Sequence, residues 1–283
     1  MPIVYVSRCL SKRYPNVYLS ILTACRENNI GFGIIKDNKN IWCRDYMPVP
    51  VDDYYVKFRY KTVGYDKYPQ LKITDECYKW LQKKIVHSSI ILDGGNCVRD
   101  KDRVFITDII FLHNPQYRKI VLLNKLEKLL QAEIVLIPTE PYDDLGHADG
   151  IVKPIGAGSV FINDYSVMKG KIYHTYYNYL VHVLIRRHIN CIPFSYAYHK
   201  KPRITEKQFR KKYPRGDAFN PGYGYYINFL QVGKMVVLPV FGIEEDELAI
   251  SLVKRFLKPS ITSVNCSDIS MEGGLINCCT WEG

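Results

Sequence analysis

Four short clusters of polar residues follow predicted strands, each beside glycine or another element that turns the chain. They are Trp42-Cys43-Arg44-Asp45, Asp93-Gly94-Gly95-Asn96, Gly146-His147-Ala148-Asp149 and the segment 273–280, in which Cys278 and Cys279 are neighbours. Loops on a rigid scaffold are the usual place for catalytic groups. Because a thiolate is a strong nucleophile and an imidazole can move protons, the clusters together indicate nucleophilic chemistry.

Each cluster alone has a plainer interpretation. The pair Arg44-Asp45 is typical of a surface ion pair, and Asp-Gly-Gly is typical of a turn, because glycine accepts positive φ. A single histidine is more often structural than catalytic, and a cysteine near the end of a chain is more often a small core residue. The functional interpretation therefore depends on the four clusters occurring together and in order.

Taken in order, the clusters resemble the motifs of the guanidino-group modifying enzymes, in the agmatine deiminase and bacterial-type peptidylarginine deiminase family. That family has Trp-x-Arg-Asp, an acidic residue before Gly-Gly, Gly-His-x-Asp, and a final Gly-Gly-Gly-x-x-His-Cys-x-Thr. The segment YINFLQVGKMVVLPVFGIEEDELA resembles the family's Y-x-N-F stretch, and the resemblance covers about residues 30–283. It implies the pentein fold, a pseudo-fivefold α/β ring of five ββαβ units with the site in the central channel.

The resemblance implies that Cys278 is the nucleophile, since Thr280 then follows it by two residues as in the family. Cys279 is the obvious competitor. A thiolate suits a weakly electrophilic guanidinium carbon. His147 is then the general acid and base that protonates departing ammonia and activates water. Asp93 is expected to orient His147 and to favour its protonated form.

The same resemblance assigns substrate contacts to Asp45, Asp149 and Trp42. Each carboxylate would accept two N–H groups of the planar guanidinium, and Trp42 would cover the alkyl stem of the substrate. The sequence departs from the family pattern where Asn277 replaces histidine and Trp281 replaces glutamine, and Asp93 stands where glutamate is usual. These departures leave the core chemistry intact but do not fix the substrate.

The pattern of apolar residues predicts strand, strand, helix and strand in recurring order, without a linker. We predict one α/β domain over residues 1–283. Among its elements are a helix over 15–28, strands over 32–36 and 54–60, and a helix from Thr74 or Asp75 to about Lys84. Further predictions are a helix over 118–131, a strand over 133–138, and YYINFL at 225–230 as a strand paired with KMVVLPV.

Composition narrows the class of protein. The chain of 283 residues carries a net charge of +11, and eight Lys or Arg against two acids fall within 199–217. This basic stretch is more typical of a solvated rim loop than of a nucleic-acid groove, so a nucleic-acid partner is unlikely.

Nine cysteines without a C-x-x-C pair indicate no zinc ribbon, and hydrolysis needs no metal or cofactor. With no apolar stretch near the length of a membrane span and no visible signal peptide, we expect a cytoplasmic protein.

The leading hypothesis is a cysteine-dependent deiminase that converts agmatine to N-carbamoylputrescine and ammonia through a covalent thiouronium. The partner is then a small guanidine, but an arginine side chain or free arginine is an alternative, because a chain with a charge of +11 does not steer a dicationic substrate. An amidinotransferase with the same acids and nucleophile, and a non-catalytic pentein binding protein, are further alternatives. The sequence does not predict the oligomeric state.

Overall fold

The structure is a computed structural model that describes residues 1–36, 40–60, 75–143, 145–203, 205–212 and 221–283. Its strands, in chain order, are β1 Ile3–Ser7, β2 Gly31–Ile35, β3 Val49–Val51, β4 Tyr54–Arg59, β5 Lys84–Ile91, β6 Val98–Asp100, β7 Arg103–Thr107, β8 Glu133–Ile137, β9 Val152–Gly156, β10 Ser159–Asn163, β11 Asn190–Phe194, β12 Leu230–Val232, β13 Met235–Val240, β14 Ser260–Asn265 and β15 Thr280–Glu282.

Helices connect and cover these strands. They are α1 Arg8–Arg13, α2 Pro15–Glu27, the short turn α3 Cys43–Tyr46, α4 Ile109–His113, α5 Lys119–Leu130, α6 Lys171–Ile185, α7 Glu206–Lys212, α8 Glu245–Leu257 and α9 Ser267–Ser270. In α5 the buried residues Leu122, Leu126 and Leu130 recur every four positions, so one stripe of the helix faces the core. They pack in one cluster with Val104 and Ile134 of β7 and β8.

In the described residues the strands form five sheets of three, ordered β15-β1-β2, β3-β4-β5, β6-β7-β8, β9-β10-β11 and β12-β13-β14. Each middle strand is antiparallel to the first and parallel to the third, as when Val236 pairs with Gln231 on one side and Ile261 on the other. A tight turn joins antiparallel strands, whereas parallel strands need a longer crossover. The repeated order ββαβ follows, and the fold is the pentein, as predicted.

The two ends of the chain close the ring. Strand β15 pairs antiparallel with β1, with Val6 opposite Thr280 and Val4 opposite Glu282. The segment containing Cys278 therefore enters a sheet immediately after the cysteine, and the backbone of the predicted nucleophile is fixed by the N-terminal strand.

Two local predictions are wrong. The predicted helix up to about Lys84 is only a 3-10 turn over Asp75–Cys77, while Thr74 lies outside the described residues. Strand β5 begins at Lys84 because its β-branched residues supply the parallel partner of β4, with Tyr54 opposite Lys84. Of the predicted strand YYINFL, only the last residue, Leu230, is extended, since the residues before it turn toward the site.

The basic stretch is described in part, because residues 204 and 213–217 lie outside the described residues. Its described part includes α7, in which Phe209 is buried against Met271. Lys200 pairs with Glu244 and Glu245. Since Phe209 faces the core, its ring is not available to stack on a base. Within the described part of the chain, no helix is both long and apolar enough to cross a bilayer.

Candidate active site

The candidate catalytic residues lie on the connections between successive units of the ring. Each connection leaves the third strand of one sheet and enters the first strand of the next sheet. In order around the ring, the connections carry Asp45, Asp93, the pair His147 and Asp149, Asn228, and Cys278. Fivefold repetition therefore explains how residues far apart in sequence reach one place.

Hydrogen bonds join neighbouring connections around the ring. Gly95 N donates to Asp45 Oδ1 at 3.0 Å, and the backbone N–H of Arg44 donates to the Cys278 carbonyl at 3.1 Å. Asn228 links the next pair, because its Nδ2 donates to the Asp149 carbonyl at 3.3 Å. Its own carbonyl accepts from the Asn277 N–H at 3.1 Å. The fifth link is the contact between Asp93 and His147, at 3.2 Å. Displacing one connection therefore disturbs both of its neighbours.

His147 lies between two carboxylates. Its Nε2 is 3.2 Å from Asp93 Oδ2, and its Nδ1 is 3.6 Å from Asp45 Oδ1. Both aspartates are buried. Nε2 thus has a carboxylate within hydrogen-bond distance and Nδ1 faces a second carboxylate, so both aspartates favour the doubly protonated ring.

The electrostatics of this trio favour a protonated imidazole. Burial by itself would lower the pKa of His147, but the nearby charges of Asp45, Asp93 and Asp149 outweigh burial and raise that pKa to about 10. Burial raises the pKa of Asp45, and the His147 charge opposes this effect only in part. His147 can therefore serve as an acid at neutral pH.

Cys278 faces the cavity and Cys279 does not. The Sγ of Cys278 lies 3.7 Å from Asp149 Oδ2 and 3.4 Å from Asn228 Oδ1. Cys279 is fully buried in the largest apolar cluster. Burial, followed by the charges of Asp149 and Asp45, raises the pKa of Cys278 well above its ordinary value. The thiolate therefore needs a cation beside it, and a bound guanidinium would supply one.

Sequence reasoning missed the role of Asn228. Its Oδ1 accepts from both the N–H and the Sγ of Cys278, at 3.4 Å each, while its Nδ2 bonds to the Asp149 carbonyl. One amide side chain thus fixes the spacing between the predicted nucleophile and a predicted substrate carboxylate. The signal was present, since a ring of five units offers five connections and the four clusters occupy only four of them.

Asn277, which replaces the family's histidine, also contacts Asp149. Its Nδ2 donates to Asp149 Oδ2 at 2.7 Å. This bond holds the carboxylate in place but uses one of its acceptor positions, so Asp149 has fewer left for a substrate.

The cavity that contains the site has about 680 Å³ of empty space. Among its walls are His147, Asp149, Asn228 and Cys278, and farther along Glu140, Asp143, Tyr173, Tyr198 and Tyr225. Asp45 and Asp93 stand behind His147 and do not appear among the described lining residues.

Trp42 is also absent from the described lining, and its ring packs on Gly274, a wall residue. A Cβ added to Gly274 would lie 2.7 Å from that ring. Trp42 therefore shapes the wall through Gly274, and its predicted contact with substrate stays a prediction.

Two glycines of the Asp93 connection allow the close approach of the catalytic groups. A Cβ on Gly95 would lie 2.7 Å from Asp45 Oδ1 and 2.8 Å from His147 Nδ1. A Cβ on Gly94 would lie 2.0 Å from the Arg44 carbonyl. The Asp-Gly-Gly cluster is therefore required by packing against the site as well as by turn geometry.

No grouping of three or more His, Cys, Asp or Glu residues in the described ranges could hold a metal ion. Carboxylates pair with a guanidinium through two parallel hydrogen bonds, and the contacts of Asp45 and Asp149 with such a cation stay predictions.

A fivefold ring with an acid–histidine–cysteine site defines the class as the pentein-fold guanidino-modifying proteins. The sequence profile of the Porphyromonas-type peptidyl-arginine deiminase family matches residues 20–283, so the chain belongs to that family. A Streptococcus mutans protein named "Putative agmatine deiminase" is 25% identical over 209 residues, 68% of this chain and 56% of its own. A Lactococcus lactis protein of the same name is 27% identical over 210 residues, 68% of this chain and 57% of its own. The chain thus spans a little over half the length of these curated relatives.

Solved structures share the fold. The agmatine deiminase of Enterococcus faecalis superposes with a TM-score of 0.76 at 17% identity, over 99% of this chain and 92% of that chain. The DDAH of Pseudomonas aeruginosa superposes with a TM-score of 0.58 at 10% identity, over 99% of this chain and 98% of that chain. At these identities the likeness shows the fold alone.

Proposed function

We propose that this chain is a cysteine-dependent deiminase that hydrolyses a guanidine to a ureido group and ammonia. Agmatine is the first substrate to test, with N-carbamoylputrescine as its product. The observation that carries the proposal is the arrangement of Cys278 Sγ, 3.7 Å from Asp149 Oδ2, in one cavity with His147, whose nitrogens face Asp45 and Asp93. In this proposal residues 1–283 act as one pentein domain.

The first half-reaction begins when the guanidinium binds Asp149 beside the sulfur of Cys278, while Asp45 lies behind His147. Its positive charge favours the thiolate of Cys278, and the thiol proton is lost to solvent. The sulfur attacks the guanidinium carbon and forms a C–S bond. His147 gives its proton to one nitrogen, the C–N bond breaks, and ammonia leaves. An S-alkylthiouronium remains on Cys278.

The second half-reaction reverses these roles. His147, now neutral, takes a proton from a water molecule, and the hydroxide adds to the thiouronium carbon. The added hydroxyl loses its proton to solvent as its oxygen becomes the ureido carbonyl, the C–S bond breaks, the thiolate is restored, and the ureido product departs. Asp93 keeps the imidazole oriented in both steps through its contact with Nε2.

The net charge of +11 argues against a cationic substrate, but acidic residues lie at the cavity. Although the chain carries a net charge of +11, the described cavity wall includes Glu140, Asp143 and Asp149, with Asp45 and Asp93 behind it. Because the field of a cleft is set by nearby charges, these acids favour a guanidine locally, while Arg44 and Lys153, which interact electrostatically with Asp149, oppose them in part.

A second candidate substrate is free or peptidyl arginine. Lys201 lies beside the cavity wall, where its Nζ donates to the Tyr198 hydroxyl at 2.6 Å and lies 4.0 Å from the centre of that ring. A cation at this place suits a substrate carboxylate or the carbonyls of a peptide.

The test is an ammonia-release screen of the purified chain against agmatine, arginine, arginine-containing peptides and methylated arginines. We expect release from agmatine, and none from it by a Cys278→Ser variant. Release from arginine or peptides alone would favour the second candidate, whereas amidine transfer to an added amine would show an amidinotransferase. No release from any of these guanidines, in a folded protein, would contradict the proposal.

A further inference from the structure

Glu140 is a buried carboxylate that the proposed reaction does not use. It is 4% exposed and belongs to the cavity wall. Three tyrosine hydroxyls donate to it: Tyr196 and Tyr225 to Oε1 at 2.9 and 2.8 Å, and Tyr165 to Oε2 at 2.8 Å. A carboxylate has about four acceptor positions. Three are filled here, which leaves capacity on Oε2.

A buried carboxylate is costly unless it is well paired, and the pairing here comes from neutral phenols. Burial and the charge of Asp143 raise the pKa of Glu140 to about 7, and the hydrogen bonds from the three tyrosine hydroxyls oppose this rise. Since the phenols stabilise the ion without neutralising it, the site retains affinity for a cation.

Tyr225 lies between Glu140 and the turn that carries Asp149. One edge of its ring lies against Gly150, where an added Cβ would be 3.8 Å away, and its hydroxyl donates to Glu140. Gly150 directly follows Asp149, the predicted guanidinium contact. The ring of Tyr225 therefore connects the predicted guanidinium contact to Glu140 along one wall of the cavity.

A second path of bonds joins the same two points. Asn163 Nδ2 donates to the Gly150 carbonyl at 2.6 Å and lies 3.2 Å from the Tyr165 hydroxyl, which in turn donates to Glu140. The turn that carries Asp149 and the carboxylate of Glu140 are therefore fixed relative to each other by two independent connections.

The wall around Glu140 has the chemistry of a cation site. Tyr173 and Tyr225 line the cavity beside it, together with the carboxylate of Asp143, while the face of Tyr198 is covered by Lys201, whose Nζ lies 4.0 Å from the ring centre. Aromatic faces and carboxylates together attract an ammonium group, while they repel a carboxylate.

We propose that Glu140, held by the hydroxyls of Tyr165, Tyr196 and Tyr225, is a specificity-determining residue that receives an ammonium group at the far end of the substrate. The inference rests on the proposed guanidine hydrolysis, and it selects substrates that carry a guanidinium at one end and an amine at the other. Free arginine, with a carboxylate near its amine, fits this subsite poorly.

The test compares agmatine with n-pentylguanidine, in which a methyl group replaces the ammonium group, using the wild type and Glu140→Gln. The matched control is Glu133→Gln, which removes the same charge from a surface carboxylate paired with Arg103 and Arg187. For Glu140→Gln we expect kcat/KM for agmatine to fall by about tenfold to hundredfold, mainly through KM, since a charge-assisted hydrogen bond is lost. The value for n-pentylguanidine should stay within about twofold, and Glu133→Gln should change neither substrate.

An equal loss for both guanidines in Glu140→Gln would overturn the inference, because it would mean that the glutamate only organises its tyrosines. If that variant does not fold, the comparison of the two guanidines on the wild type tests the subsite. A preference for agmatine over n-pentylguanidine of at least about tenfold supports the subsite, and equal kcat/KM values overturn it.

Binding separates this inference from the proposed function. If no guanidine is turned over, the proposed function fails, and titration calorimetry on the Cys278→Ser variant with the same two ligands still tests the subsite. Tighter binding of agmatine, lost when Glu140→Gln is added, supports it. Equal affinities for the two ligands overturn it.

Discussion

Replacing Asp93 by asparagine should lower the pKa of His147 while leaving its position unchanged. Asp93 Oδ2 is 3.2 Å from Nε2, and both side chains are largely buried. Two unit charges at this separation attract by about 5 kcal/mol in an effective dielectric of about 20. Asparagine removes the charge but keeps an oxygen acceptor at the same place, so part of the attraction survives. We therefore expect the titration midpoint of His147 to fall by about one to two pH units.

The assay is a pH titration of the imidazole nitrogens by two-bond 15N NMR correlation. The chain has seven histidines, and a His147→Gln variant assigns the signal. The matched control is Asp164→Asn, which changes the net charge equally but lies at a turn where Asp164 Oδ1 accepts from Ser166. If the His147 midpoint moves no further in Asp93→Asn than in Asp164→Asn, the assignment of Asp93 as the partner that sustains the imidazolium is refuted.

Three further outcomes follow from the site. Gly95→Ala should reduce kcat in the ammonia assay by about a hundredfold or more, because the new Cβ would lie within 2.8 Å of both Asp45 and His147. Gly150→Ala is the control and should retain most activity, because its new Cβ would make only ordinary contacts of 3.8 Å or more. Asn228→Ala should lower kcat and the rate of Cys278 alkylation by about tenfold each, since it removes the acceptor of the Cys278 N–H and Sγ, and unchanged alkylation would contradict the positioning role. Because the pKa of His147 is raised in the folded state, its contribution to stability is complete below pH 6.5 and is lost as pH rises toward about 10. Urea unfolding should therefore show that the free energy of unfolding falls by on the order of a few kcal/mol over that range, and the fall should be smaller in His147→Gln.

The sequence predicted the fold class through the resemblance and several elements through periodicity. The spacing of Leu122, Leu126 and Leu130 predicts the helix α5, because each residue lies about one turn from the next. The helix predicted to run to about Lys84 is wrong over the described residues from Asp75 onward, because capping residues do not contain the constraint that a parallel partner of β4 must follow. That constraint comes from a strand distant in sequence, so no local pattern contains it.

Some residues of the candidate site can likewise be predicted from the sequence, and others cannot. Asp45, Asp93, His147, Asp149 and Cys278 could be selected because their motifs are short and ordered, and the structure brings them to adjacent connections. Glu140 could not be selected, since it stands beside neither a nucleophile nor a histidine in the chain, whereas Asn228 lies in the YINFL segment, on the one connection that the four clusters leave unoccupied. Their importance comes from contacts across 50 to 85 residues of sequence, to Cys278 and to Tyr225. Contacts of this kind are set by the ring and not by local pattern.

The central claim is that the sulfur of Cys278 attacks the guanidine carbon. The most direct measurement is fragmentation mass spectrometry of the chain after acid quench during agmatine turnover, and after labelling with a haloacetamidine, in the wild type and in Cys279→Ser. We predict an adduct on Cys278 alone in both proteins, with Cys279→Ser retaining a substantial fraction of wild-type turnover. An adduct on Cys279, or turnover that persists in Cys278→Ser, would contradict the account.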